Sequence, residues 1–226
     1  FKLIYNHSMK SQDPHQEHLQ SIINLYTEGQ LQQALSESSQ MLERFPNSVI
    51  LYNIAGASNA ALMQFDAAIE NYKQALRIKP DYADAYNNMG VALNDKGDPE
   101  AAIESYKQAL RIKPDYADAY NNMGSALKDK GDLEEAIDNY KQALRIKPDY
   151  AEGHSNLGAA LQLLNQTEPA LASYEKAISL KKDLNTAISG LGMALLKKGE
   201  HSEGLDKLRQ GDGSILFNIK SGLSIK

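Results

Sequence analysis

The residue types that could do chemistry in this chain of 226 residues are few. There is no cysteine, which removes disulfides, a thiolate-ligated zinc and a thiol nucleophile. The histidines are His7, His15, His18, His154 and His201. His15 and His18 stand three apart, a spacing that puts both on one helical face, but no nearby residue completes a metal's ligand set. Neither G-x-x-x-x-G-K-[ST] nor G-x-G-x-x-G occurs, and the Gly-Asp-Gly at 211–213 reads as a turn. The carboxylates recur at a fixed interval, as caps and surface groups do, whereas a general acid and base form one asymmetric constellation. These residues predict a chain without catalysis, metal or cofactor. The remaining groups able to recognise something are amides. Asn87-Asn88 and Asn121-Asn122 fall within nineteen letters, YKQALRIKPDYADAYNNMG, that stand at 72–90 and return unchanged at 106–124. An Asn side chain offers two donors and one acceptor oxygen, which suits the alternating C=O and N–H of an extended peptide.

The elements that position these amides are legible from three interlocked series. Pro46, Pro80, Pro114 and Pro148 are 34 residues apart, as are Gly56, Gly90, Gly124, Gly158 and Gly192, and as are Tyr72, Tyr106, Tyr140 and Tyr174. Within residues 83–116, Tyr86, Met89, Gly90 and Leu93 share one helical face, and Ala102, Ile103, Tyr106, Ala109 and Leu110 share a second. Gly97 stands between them, where a left-handed C-cap is needed. Asp98 suits the N-cap of the second helix and Pro99 its first turn. Asp132 and Glu135 have capping-box spacing in the next unit. Arg111 and Lys113 suit a helix C-terminus, and Pro114 ends the helix. The tyrosine, methionine and alanine stripes read as core.

Period, helix pair and key residues together resemble the tetratricopeptide repeat (TPR) family. Its pattern is matched by Tyr86, Met89, Gly90, Leu93, Ala102, Tyr106, Ala109 and Pro114, and again by Tyr120, Met123, Gly124, Leu127, Ala136, Tyr140, Ala143 and Pro148. The resemblance implies an all-α, right-handed solenoid superhelix of about six helix-turn-helix repeats over 15–48, 49–82, 83–116, 117–150, 151–184 and 185–211. In it Gly90 and Gly124 let paired helices approach closely, with Tyr106 and Tyr140 plugging the junctions. The outer units depart from the pattern. Ile22 stands where Gly is expected, Met63 and Asn165 occupy the turn held by Gly97 and Gly131, and Gly204 and Gly211 replace the second-helix alanines.

The resemblance also implies a concave groove lined by the first helix of each pair. Asn88, Asn122 and Asn156 take the sixth position of three successive units, similar to groove asparagines in the TPR arm of O-linked N-acetylglucosamine transferase. Two readings stand: the amides hold a peptide backbone, or they serve contact between neighbouring helices. With Asn87 and Asn121 they form the expected site, joined by Asp84, Asp118 and Glu152 at the second positions and by Asp95 and Asp129. These acids predict an acidic groove that favours a basic partner, and they speak against a carboxylate clamp, whose ninth positions here are Val91, Ser125 and Ala159. If the amides only face solvent, replacing them costs no more than about 0.5 kcal/mol each.

The flanks differ in texture. Residues 1–14 are polar and irregular and read as a flexible tail. Their lack of a long apolar stretch argues against a signal peptide and for the cytoplasm. Met9 as a start and a fragment of a longer chain both remain open. Over 212–226, Ile215, Phe217 and Ile219 alternate, then Leu223 and Ile225, which predicts strands that cap the last repeat or begin a following domain. A net charge of −5 without a basic patch predicts no nucleic-acid partner, and no apolar run predicts membrane insertion. The expected function is a non-catalytic scaffold that binds a protein or peptide. The alternative is the substrate-recruiting arm of a larger oxygenase, glycosyltransferase or sulfotransferase, and apolar repeat ends allow self-association.

Overall fold

The computed structural model describes residues 13–212, 215–218 and 222–225. The flexible tail expected over 1–14 thus lies, for residues 1–12, outside the described residues, as does Ile219 of the alternating C-terminal stretch. The chain forms two compact units, residues 1–112 and 113–226.

The first unit contains α1 (Gln16–Thr27), α2 (Leu31–Arg44), α3 (Val49–Ala61), α4 (Phe65–Ile78), α5 (Ala83–Lys96) and α6 (Pro99–Ile112). The second contains α7 (Ala117–Lys130), α8 (Leu133–Ile146), α9 (Ala151–Leu163), α10 (Thr167–Leu180), α11 (Asn185–Lys198) and α12 (His201–Asp212). Two short strands follow, β1 (Ile215–Asn218) and β2 (Gly222–Ile225), paired antiparallel with Ile215 opposite Ile225 and Phe217 opposite Leu223. Among the described residues, no helix is long and apolar enough to cross a membrane.

Each odd-numbered helix packs on the even-numbered one that follows it. The buried stripe of α4 is Ala68, Ile69, Tyr72 and Ala75, and that of α8 is Ala136, Ile137, Tyr140 and Ala143, spaced to keep one helical face inward. The expected glycine–tyrosine junction is present in both units. A Cβ on Gly90 would stand 2.6 Å from the Tyr106 ring, and one on Gly124 would stand 2.8 Å from the Tyr140 ring. In the last pair Leu208 replaces the tyrosine, and α12 lies closer to α11. A Cβ on Gly204 would meet the Gly192 carbonyl oxygen at 2.9 Å, and one on Gly211 would overlap Ser189 Oγ. The missing alanine methyls are therefore replaced by nearer backbone.

The turns inside the pairs share one conformation. Gly97 and Gly131 adopt φ of +94° and +97°, and Met63 and Asn165 are driven to +59° and +60° at the equivalent place. One cap differs from expectation. The Ala101 N–H donates to Asp98 Oδ1 at 3.1 Å, so Asp98 caps α6. Asp132 makes no such bond to α8, because its carboxylate accepts from Lys130 Nζ instead.

Candidate functional site

In the first unit, α1, α3 and α5 lie side by side. Asn88, half-buried on α5, donates from Nδ2 to Asn53 Oδ1 on α3 at 3.1 Å and accepts at Oδ1 from Asn87 Nδ2 at 3.3 Å. The second unit repeats the device across α7 and α9. Asn156 Nδ2 donates to Asn121 Oδ1 at 3.0 Å, and Asn121 Nδ2 donates to Asn122 Oδ1 at 3.4 Å. Asn87 and Asn121 are each 6% exposed. At the fifth position of each unit these two side chains of the expected site are buried against the neighbouring helix. Their role is to relay hydrogen bonds to the half-buried sixth-position amides. Asn53 was missed, although it stands 34 residues before Asn87 and shares its position.

Asp84, Asp118 and Glu152 are exposed in the first turns of α5, α7 and α9, where a carboxylate complements the helix dipole. Glu152 is held below the usual carboxylate range by its bond from Lys181 Nζ, at 3.0 Å. Tyr150 is pushed above its ordinary value by burial, then by the charge and hydrogen bond of Asp118. Asp129 pairs with Lys128 at 2.7 Å. Asp95 is exposed and lines a cavity of about 290 Å³ with Tyr26, Ala57, Tyr72, Asn88 and Val91.

The second unit has a cavity of different character. It measures about 460 Å³ and is lined by Ala159, Leu163, Tyr174 and Met193, with Lys128 and Lys197. Burial pushes the Tyr174 phenol up to about 12, and its hydroxyl donates to Gln162 Oε1 at 2.9 Å. Of the acids expected to line an acidic groove in this unit, Glu152 and Asp129 are ion-paired, and lysines line the cavity. Among the described residues, no three His, Cys, Asp or Glu side chains cluster as a metal site would require.

A family profile described as TPR repeat matches residues 61–97, 92–131 and 124–165, and one described as tetratricopeptide repeat matches residues 151–184. No curated protein sequence matches the chain. Among solved structures, MamA is 29% identical, with 69% of this chain and 91% of that one covered and a TM-score of 0.61. A thermophilic TPR protein of Thermus thermophilus is 27% identical, covering 80% and 98%, with a TM-score of 0.68. PilW, a type IV pilus biogenesis factor, is 21% identical over 89% and 94%; its TM-score of 0.79 is a likeness of fold. With profile matches spanning residues 61–184, more than half of its length, the chain belongs to the tetratricopeptide repeat family.

Proposed function

We propose that this chain is a non-catalytic interaction scaffold whose odd-numbered helices present half-buried amides to an extended peptide. One observation carries the reading. The Asn88 amide spends one N–H on Asn53 and one lone pair on Asn87, which leaves a donor and an acceptor at a surface that also bears a cavity. Asn156 likewise spends one N–H on Asn121. Both of the alternatives left open by the sequence then hold for the same side chains: the amides tie neighbouring helices together and retain capacity for a backbone. The partner of the first unit is basic, since Asp95 stands beside Asn88 in its cavity, and residues 1–112 carry 13 acidic against 9 basic side chains.

The test is photo-crosslinking. A benzophenone amino acid placed at Val91 or Ser125, the ninth positions of α5 and α7, is irradiated in native lysate. Crosslinks are compared between the parent and its Asn88→Ala, Asn122→Ala, Asn156→Ala variant, at a temperature where both are folded by circular dichroism. Defined protein crosslinks that vanish in the variant support the reading. Identical crosslinks in both would reduce the amides to helix–helix ties.

A further inference from the structure

The central repeats copy one another closely, whereas the units over 151–184 and 185–211 keep the packing positions and vary elsewhere, so that their large exposed apolar side chains are not demanded by packing. At the thirteenth position of successive units stand Ala61, Asp95, Asp129, Leu163 and Lys197. At the ninth, small or modest residues give way to Met193. Leu163 is 58% exposed and Met193 is 44% exposed, and both line the 460 Å³ cavity of the second unit. Two large apolar side chains left in water around a concavity mark a place where something apolar is received. Ala159, with the smallest side chain of the lining, and Tyr174 share the same cavity wall.

The charge around this cavity is specific. Lys128 is partly compensated by Asp129. Lys197 Nζ donates to the neutral Asn165 side chain, and among the described residues no carboxylate lies within ion-pair distance of it. An apolar wall beside an uncompensated ammonium is complementary to an apolar side chain next to a carboxylate. A lysine or arginine next to that side chain would meet repulsion instead.

We propose that this cavity receives an aliphatic or aromatic side chain of a peptide whose neighbouring residues are aspartate or glutamate. The second unit therefore selects an acidic segment, where the first selects a basic one. The inference rests on the reading that these helix faces bind peptides, and it names the class that one of them takes.

Three labelled peptides, acetylated and amidated so that no terminal charge contributes, test it against the full chain by fluorescence polarisation. One carries Asp-Glu-Leu-Phe-Glu-Asp between Gly-Ser spacers. The second has lysine for every acid, and the third has serine for Leu and Phe. The first binds tightest, and its affinity falls with added salt. Lys197→Gln weakens it about threefold, as suits an exposed ion pair. Leu163→Ser weakens it about tenfold, through lost apolar burial. Both variants alter exposed side chains, so their melts match the parent. Equal binding of the lysine peptide, or indifference to Leu163→Ser, overturns the inference. If the acidic peptide binds through Asn156 yet ignores Leu163 and Lys197, the groove reading survives and this inference does not. If none of the three binds, both fall.

Discussion

Ser58 occupies the tenth position of its unit, where Ala92, Ala126, Ala160 and Ala194 stand in the four units that follow, all fully buried. Its Oγ is buried with no hydrogen-bond partner. An unsatisfied buried hydroxyl costs on the order of 1 kcal/mol or more, so Ser58→Ala should stabilise the chain by about that amount in a urea titration. A loss of stability would show that the hydroxyl has a role that packing conceals. The opposite holds for Asn156. Its amide supplies a donor to the buried Asn121 Oδ1, and Asn156→Ala orphans that oxygen. The expected cost is about 1 kcal/mol, above the 0.5 kcal/mol anticipated for a merely solvated asparagine. A cost near zero would mean that water replaces the lost donor. That amides matter here was legible from their recurrence. The resemblance singled out the sixth-position amides, but the burial of the fifth-position ones was not legible, because the two positions lie on neighbouring sides of one helix and only the packed partner distinguishes them.

Helix caps show a similar limit one level up. Asp98 and Asp132 occupy equivalent positions and read alike as N-caps. Their fates diverge because of the lysine two residues earlier. Lys96 is held by Asp66 on α4 at 2.5 Å, which leaves Asp98 to accept from the first turn of α6. Lys130 turns to Asp132 instead. Asp98→Ala should therefore cost about 1 kcal/mol. Asp132→Ala removes only a surface ion pair and should stay within about 0.5 kcal/mol of the parent. Equal losses in thermal melts would mean that Asp132 caps α8 in solution. The helices of the central repeats were legible because glycine, proline and alanine mark their turns and stripes; the outer ones were legible through the period alone, since Met63 and Asn165 hold the turn and Gly204 and Gly211 the stripe. The partner of each surface lysine was not, because it depends on how the next helix docks.

At the scale of the chain, one junction recurs in both units: a glycine on the first helix of a pair receives a tyrosine ring from the second. Period 34 exposed this in the sequence, since a unit that packs only on its neighbours can be copied. The copying has an electrostatic consequence. Tyr72, Tyr140 and Tyr174 are all but fully buried, and burial raises each phenol above its ordinary value of 10, with Tyr140 and Tyr174 pushed up to about 12. A tyrosine charges by losing its proton, so the folded state holds protons that the unfolded state gives up. The stability is intact below pH 10 and is lost as the pH rises from 10 towards 12. Each such tyrosine should withdraw on the order of 2 kcal/mol by the top of that window. Several acting together should unfold the chain in one alkaline transition, followed by circular dichroism alongside tyrosinate absorbance. Tyr140→Phe keeps the ring against Gly124 and gives up only the contact of the hydroxyl with Ser125 Oγ, at 3.2 Å. Its transition should move to higher pH although its stability at neutral pH is slightly lower. A midpoint that stays in place would assign the alkaline loss to other groups, first among them Lys96, Lys181 and Lys198, whose carboxylate partners raise their values in the same direction.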